Sequence, residues 1–580
     1  MRVLLIQPPV EDFYTTAVRT YPLGLACLAT VLETAGHTVA ILDAHRPRQC
    51  APRPLPAEFG HLHRYYPPAA AAPYKLFRQY RRFGLSTEEI RVSIRQYDPA
   101  VVGVAAMFSA YADQALECAR VVKELDMNIP VVMGGAHATV APEHLLADPA
   151  VDWVIMGEGE RPLAALMAYF TTGAPRPEQI TGLGWKAPGG LRLQPELDLI
   201  QDGARLPTPA RHLLDPTDYT IAGRRYTALQ TSRGCPHRCG FCTVHCLSGT
   251  GVRRRPTADV VAEMQACVRR WDIRHFDLED DHFPLNRQAA LELAAAVRGC
   301  PELEGVEFTA MNGMPTRPLD QEVLAALRDM GFRHLDLAMV SASAATLDRL
   351  GRPDNPRHFY HVLDRAAALG LATVSYFIIG LPGELPPVTL TTLVRLMARP
   401  GILGGSVLYL TPGTELYRQW PHRLAYRQMR STAAACARPD FTPDQQLTIL
   451  MLVRLVNYLK SLLPPGTRRP FKELRDELQT RYALTDTWQG PFGVTAAMGD
   501  AGRVAAATSL ATGRLLGLRR VSRRPHRFLL AEEPLDHGLF RDFLDTAVAF
   551  SIAAAQPAGA NRPVPSHPTG APGRIASSET

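Results

Sequence analysis

Three cysteines fall within eight residues of the stretch TSRGCPHRCGFCTVHC, residues 231–246: Cys235, Cys239 and Cys242, with Cys246 just behind. Thiolates spaced Cys-x3-Cys-x2-Cys can each hold one iron of a four-iron cube, leaving the fourth iron open to a cofactor or substrate. A closed zinc site is the competing chemistry, with Cys246, His237 or His245 as a fourth ligand. The other six cysteines, Cys27, Cys50, Cys118, Cys267, Cys300 and Cys436, are scattered and read as ordinary core or surface residues.

Other residues share this capacity for chemistry. The stretch FDLEDDHFPLN (276–286) ends an apolar run with Glu279, Asp280 and Asp281, three carboxylates in a row. They are either a solvated turn or a group facing a ligand. In YFIIGLPGE (376–384), Gly380 and Gly383 let backbone come close to a bound molecule. Nearer the start, Gly134-Gly135 follows VVM, and Gly157-Glu158-Gly159-Glu160 follows WVIM. Tight turns explain either pair, and so does ligand binding at strand ends. His137 reads as a loop hydrogen-bonder, and Arg253, Arg254 and Arg255 as cations that steer negative groups.

The elements around these residues explain the placement. Short apolar runs at 3–6, 38–42, 101–106, 130–133 and 153–156 alternate with helical patterns at 22–36, 110–125 and 142–148. That alternation predicts a doubly wound parallel sheet, an α/β domain over residues 1–170. Residues 45–85 interrupt it and read as a surface insertion or a loop over a ligand. Residues 171–220 read as a connecting segment. A second series of six strands, near 226–231, 275–279, 305–310, 334–340, 373–379 and 406–410, predicts a partial (βα)6 barrel over residues 221–430. Thr257 is placed as the cap of a helix over 257–270. Barrel chemistry sits at the C-terminal ends of the strands, and the cysteines follow the first strand. Residues 431–555 read as mainly helical, and 556–580 as a disordered tail.

The totals exclude some classes. With 46% apolar and 21% charged residues the composition is that of a soluble protein. A net charge of +7 over 580 residues gives no nucleic-acid signature. The opening MRVLLIQPPV is broken by Pro8-Pro9 too soon for a secretory signal, and no apolar run reaches membrane-spanning length. A cytoplasmic location without membrane contact is expected. The arginine-rich LLGLRRVSRRPHR (515–527) reads as a solvated face or an anion contact.

Cys235-x3-Cys239-x-Phe241-Cys242 after the first strand of a partial barrel resembles the radical S-adenosylmethionine (SAM) superfamily. The resemblance implies a [4Fe-4S] cluster on Cys235, Cys239 and Cys242, with SAM on the open iron and Phe241 beside its adenine. It implies roles near SAM, cluster or substrate for Glu279 and Asp280, and SAM contacts for Ser341 and Gly380. One position departs: Val340 stands where many members carry an acid, which puts reductive cleavage of SAM in question.

The first domain, with its QPP, PLGLACLATVLETAGH and GG stretches, resembles the cobalamin-binding domain ahead of many such barrels. The resemblance then implies a cobalamin whose nucleotide tail passes Met107, Ser109, Gly134 and Gly135, with Gly157, Glu158 and Gly159 also at the cofactor. Asp43-Ala44-His45 is read as an accidental match to the Asp-x-His motif that ligates cobalt elsewhere, and a histidine-free mode is expected.

The family resemblance implies a methyltransferase that moves a methyl group from SAM, by way of cobalamin, to an unreactive carbon or phosphorus of a small molecule, possibly carrier-bound. An external electron donor such as flavodoxin or ferredoxin would be its partner. Two enzyme alternatives belong to the same pair of domains: a cyclase or rearrangement enzyme, and a polar methyltransferase that does not cleave SAM reductively. A non-catalytic cobalamin-binding regulator is the alternative of a different class.

Overall fold

The computed structural model describes residues 1–461 except 16–20, 47–48, 67–76, 78 and 398, together with Leu539. The expected helical region beyond Ser461, the arginine-rich stretch and the tail lie outside the described residues, apart from Leu539.

The first domain is built on β1 (Arg2–Gln7), β2 (Thr38–Asp43), β3 (Val101–Ala105), β4 (Val131–Gly134) and β5 (Trp153–Ile155). β1 shows why. Leu4 and Ile6 pack on one face with Ile90, Leu116 and Val122. Val3 and Leu5 pack on the other with Leu25, Leu32 and Leu166. A strand buried on both faces reads as an unbroken apolar run. All four pairings among β1–β5 are parallel, with Leu5 opposite both Ile41 and Gly103.

The sheet continues past the expected boundary at residue 170. β6 (Leu183–Ala187) pairs antiparallel with β5, and β7 (Gly190–Leu193) with β6. Part of the expected connecting segment is therefore the edge of the first sheet, whose order is β7-β6-β5-β4-β3-β1-β2. The chain leaves β1 in one direction for β2 and later returns on its other side as β3. Such a switch point opens a crevice at the strand ends.

The insertion at 45–85 is not a simple surface loop. Cys50–Pro52 and Arg81–Phe83 join Val10–Asp12 in a small antiparallel sheet. Phe59, Leu62, Tyr66 and Tyr80 are buried in the core of the second domain. Tyr66 donates to the Thr432 carbonyl at 2.8 Å, and the His61 ring lies 2.8 Å from the Ala433 carbonyl. The helix Thr87–Tyr97, absent from the expected series, follows; Ser86 and Glu89 form its capping box.

The six expected barrel strands are present: β8 (Arg224–Leu229), β9 (His275–Leu278), β10 (Glu307–Thr309), β11 (His334–Val340), β12 (Ala372–Ile379) and β13 (Ile402–Val407). β8–β10 and β11–β13 are two parallel sheets, joined through isolated bridges such as Met314 to Leu337. In β12, Phe377 and Ile379 pack with the helix-side core, while Tyr376 faces Gly404 across the other surface. The helix Thr257–Trp271 differs from expectation in its cap. Pro256 holds that position, and the Thr257 hydroxyl donates to Glu292 instead.

Candidate functional site

The cysteine loop leaves the end of β8 through a narrow ribbon. Ser232–Arg233 pairs antiparallel with Arg253–Arg254, so the ribbon brackets residues 234–252. Gly234 has φ +98°, and a side chain there would strike the Gly251 carbonyl at 2.3 Å, so only glycine fits. Gly240 donates to the Leu350 carbonyl at 2.9 Å and accepts from Leu416 at 3.1 Å, which pins the middle of the loop.

Cys239 is buried, and Cys235 and Cys242 are half-buried. Burial raises all three thiols, Cys242 to about 11, and the three influence one another electrostatically. The Arg352 guanidinium faces Cys239 and lowers it again. Among the described residues no three His, Cys, Asp or Glu side chains converge tightly enough for a single ion. Three neighbouring thiols on one glycine-shaped loop, with a guanidinium beside them, fit the separate corners of an anionic iron–sulfur cube. Cys246 instead approaches the Gly413 carbonyl at 3.6 Å.

The acidic turn divides its work. Asp280, expected near substrate or cofactor, meets the ribbon of the cysteine loop. Its carboxylate is buried and accepts from the Thr231 amide at 2.6 Å, the Thr231 hydroxyl at 2.5 Å and the Ser232 hydroxyl at 2.7 Å. Burial lifts its carboxyl to about 6 against those donors. Asp280 thus fixes the ribbon that carries the cysteines. Asp281 does the same one step on, accepting from the Gly234 amide at 2.8 Å. Glu279 is half-buried and accepts from Asn312 at 2.9 Å. Glu279 and the exposed Asp281 both keep carboxylate surface outside the ribbon contacts.

At the end of β11 the register shifts between Ala338 and Val340. Val340 has φ +63°, a genuine outlier for a β-branched residue. It is buried in an apolar cluster with Leu350, Leu381 and Leu408, against which Phe241 packs. The Ser341 hydroxyl donates to Glu384 at 2.6 Å. Thr389 donates to the other Glu384 oxygen at 2.9 Å, and burial raises this carboxyl. Glu384 was not singled out in the sequence, although it closes the quoted stretch YFIIGLPGE. The space over Gly380 (φ +89°) is taken by Gln446, whose amide nitrogen would lie 2.7 Å from an added Cβ. Ser341 and Gly380, the expected SAM contacts, thus meet Glu384 and Gln446 within the chain. Phe241 remains half-buried at the apolar cluster, a surface suited to a flat ring.

At the mouth of the first sheet, Met107 and Phe108 are 50% and 64% exposed, an unusual state for such side chains at a strand end. Gly135 (φ +114°) packs so tightly that a Cβ would lie 2.8 Å from the Met107 sulfur. Gly134 has open space, its added Cβ meeting nothing nearer than 3.9 Å. Apolar side chains beside glycine turns at a switch point fit a large flat cofactor such as cobalamin. Ser109, expected along the cofactor's tail, is buried and bonds His137 at 2.9 Å. His137 is fully buried, reaches His144 at 3.0 Å, and is pushed down to about 3 by burial. That matches its reading as a hydrogen-bonder.

The Gly157–Glu160 turn, expected at the cofactor, meets the rest of the chain through both its glycines and its glutamates. Gly157 packs against Leu197 and Gly159 against Leu28. Glu158 is ion-paired with Arg253 at 2.6 Å and with Arg233 at 3.3 Å; Glu160 meets Arg233 at 2.9 Å. The three consecutive arginines each meet a carboxylate of the chain. Arg253 holds Glu158, Arg254 pairs with Glu292 at 2.9 Å, and Arg255 pairs with the buried Glu263 at 2.6 Å. Arg233 had no signal beyond its place beside the cysteine motif.

Comparison with known proteins agrees with this geometry. The family described as B12 binding domain matches residues 78–167, and the Radical SAM superfamily matches residues 229–386. An uncharacterized methyltransferase of Pyrococcus horikoshii is 28% identical over 66% of this chain and 75% of its own. The cytidylyl-2-hydroxyethylphosphonate methyltransferase of Streptomyces wedmorensis is 29% identical over 66% and 73%. Among solved structures, the cobalamin-dependent SAM radical enzyme OxsB, with aqua-cobalamin and SAM bound, aligns with a TM-score of 0.61. It shares 14% identity, covering 95% of this chain and 84% of its own. The radical SAM methyltransferase TsrM of Kitasatospora setae, with cobalamin and [4Fe-4S] cluster, aligns at 0.53 with 18% identity over 96% and 100%.

Proposed function

We propose that this chain, with its B12-binding and radical SAM matches, is a cobalamin-dependent radical SAM methyltransferase that methylates an unreactive carbon or phosphorus of a small molecule held between its two domains. When bound, the iron–sulfur cluster supplies an electron, SAM supplies the methyl group, and cobalamin carries it. One observation carries the proposal most directly. The ribbon around the cysteine loop and the Gly157–Glu160 turn share buried ion pairs, which turns the strand ends of both domains toward each other.

The chain's own residues prepare that space. Cys235, Cys239 and Cys242 hold the cluster, and Arg352 offsets negative charge beside Cys239. Asp280 and Asp281 keep the loop in place through its amides. Met107, Phe108 and Tyr409, all largely exposed, present apolar surface near the two mouths. Such walls keep water from a reactive intermediate. Glu279 and Asn312, joined at 2.9 Å, offer polar contacts for orienting a substrate. Val340 places a hydrocarbon where an acid was expected, and the nearby buried carboxylate is Glu384. That favours keeping the polar route as a second reading. A carrier-bound substrate, and flavodoxin or ferredoxin as electron donor, belong to the same proposal.

The test is anaerobic reconstitution with cobalamin, SAM, a low-potential reductant and a substrate panel, with S-adenosylhomocysteine and 5′-deoxyadenosine measured together. Both products in step with a methylated compound support radical methylation. S-adenosylhomocysteine with product, and no deoxyadenosine, supports the polar route. Deoxyadenosine alone points to cyclisation or rearrangement. Neither product in protein that carries both iron and cobalamin counts against the reading.

A further inference from the structure

Arg233 and Arg253 face each other across the two-stranded ribbon that opens and closes the cysteine loop. Two cations directly opposed on a ribbon repel. Here their Nη1 atoms both lie near one Glu158 oxygen, at 3.3 Å and 2.6 Å, and Glu160 meets Arg233 at 2.9 Å. The second Glu158 oxygen accepts from the Ile200 amide at 2.8 Å, and Arg253 also donates to the Ile200 and Ser248 carbonyls. All four charged side chains are at most 13% exposed. The partners are far apart in the chain, with Glu158 and Arg253 separated by 95 positions.

The two arginines face two paired glutamates here, and Asp281 lies within electrostatic reach of both arginines. Buried ion pairs contribute little net stability over apolar packing, and their best-attested use is to fix register. The register fixed here is between the ribbon holding Cys235 and the turn that follows β5 at the mouth of the first sheet. The inference rests on the reading that one mouth takes cobalamin and the cysteines take the cluster. We propose that Arg233, Arg253, Glu158 and Glu160 form a charge clamp that sets the separation of the two cofactors, and so acts as a positioning device for methyl transfer. None of the four is a catalytic residue. Glycines 157 and 159 serve the clamp by letting the turn lie against Leu197 and Leu28 while both glutamates reach the ribbon.

The full-length holoenzyme tests this through Glu158→Gln, Arg253→Gln and the milder Glu160→Gln, which removes only one contact of Arg233. The first readout is magnetic: dipolar coupling between the cobalt and the reduced cluster, by pulsed electron paramagnetic resonance. The second is S-adenosylhomocysteine formed without added substrate. The expected result is a broadened or shifted coupling and at least a ten-fold slower rate for Glu158→Gln and Arg253→Gln. Iron and cobalamin content stay unchanged, and Glu160→Gln falls between. Unchanged coupling in all three folded variants overturns the clamp. If either severe variant fails to fold, Glu160→Gln still decides the matter, since an unchanged coupling there also counts against it. Wild-type protein that makes no S-adenosylhomocysteine argues against the methyltransferase reading, while the magnetic coupling continues to test the clamp by itself.

Discussion

Arg253 and Glu158 meet at 2.6 Å with each side chain only 5% exposed, one beside the cysteine loop and the other at the mouth of the first sheet. Removing Arg253 leaves the buried Glu158 only its longer contact with Arg233, at 3.3 Å. Arg253→Met is expected to cost about 3–5 kcal/mol of folding stability. The double variant Arg253→Met/Glu158→Leu should recover much of that loss, because no under-compensated carboxylate stays buried and Arg233 keeps Glu160. Denaturant unfolding of the set of variants checks this, and equal loss in single and double variants would count against it.

Asp280 gives a pH signature. Burial raises its carboxyl from the usual 3.8 to about 6, so the folded state favours the protonated form. Its contribution to stability is full below about pH 4 and is lost as pH rises through 6. A shift of this size corresponds to about 3 kcal/mol. Asp280→Asn should flatten the stability profile between pH 4 and 6 relative to the parent. It should also lower iron incorporation, since Asn keeps only part of the acceptor set for Thr231 and Ser232. A profile with unchanged slope in that window would rule out Asp280 as the titrating group.

His137 titrates in the opposite sense. Burial pushes it down to about 3, so the folded state holds it neutral. Its contribution is present above pH 6.5 and is lost as pH falls toward 3. His137→Gln retains hydrogen-bonding capacity and should reduce acid destabilisation across that range. Nuclear magnetic resonance of the histidine ring should show no protonation above pH 5; a midpoint near 6.5 would contradict the burial argument.

Val340 reverses a common rule. Its left-handed backbone costs a side-chain-bearing residue about 1–2 kcal/mol. Glycine is free of that cost. Val340→Gly should therefore be more stable than Val340→Ala by about 1 kcal/mol, although alanine usually wins in regular structure. Thermal unfolding of the pair reads the sign directly.

The fourth cysteine should be separable from the other three. Cys246 approaches the Gly413 carbonyl rather than its neighbouring thiols. Cys246→Ala should retain iron and the cluster's visible absorbance. Alanine at Cys235, Cys239 or Cys242 should abolish both. Loss of iron in Cys246→Ala would restore a four-ligand site.

Two series of parallel strands and the place of the cysteines were legible in the residue pattern. Parallel strands buried on both faces must be written as short apolar runs, and VLLI, TVAIL and VVGVAA are such runs. Three thiols within eight residues are close whatever the fold. The tertiary structure decided which polar residue faces a ligand and which faces another part of the chain. Glu158, Asp280 and Ser341 all sit at strand ends with carboxylate or hydroxyl groups, and pattern treats them alike. Their fates depend on Arg253, Thr231 and Glu384, which lie 95, 49 and 43 positions away. Burying such a group without a partner costs too much to tolerate. Partner choice is thus set by packing that brings distant segments together, and local spacing carries no record of it.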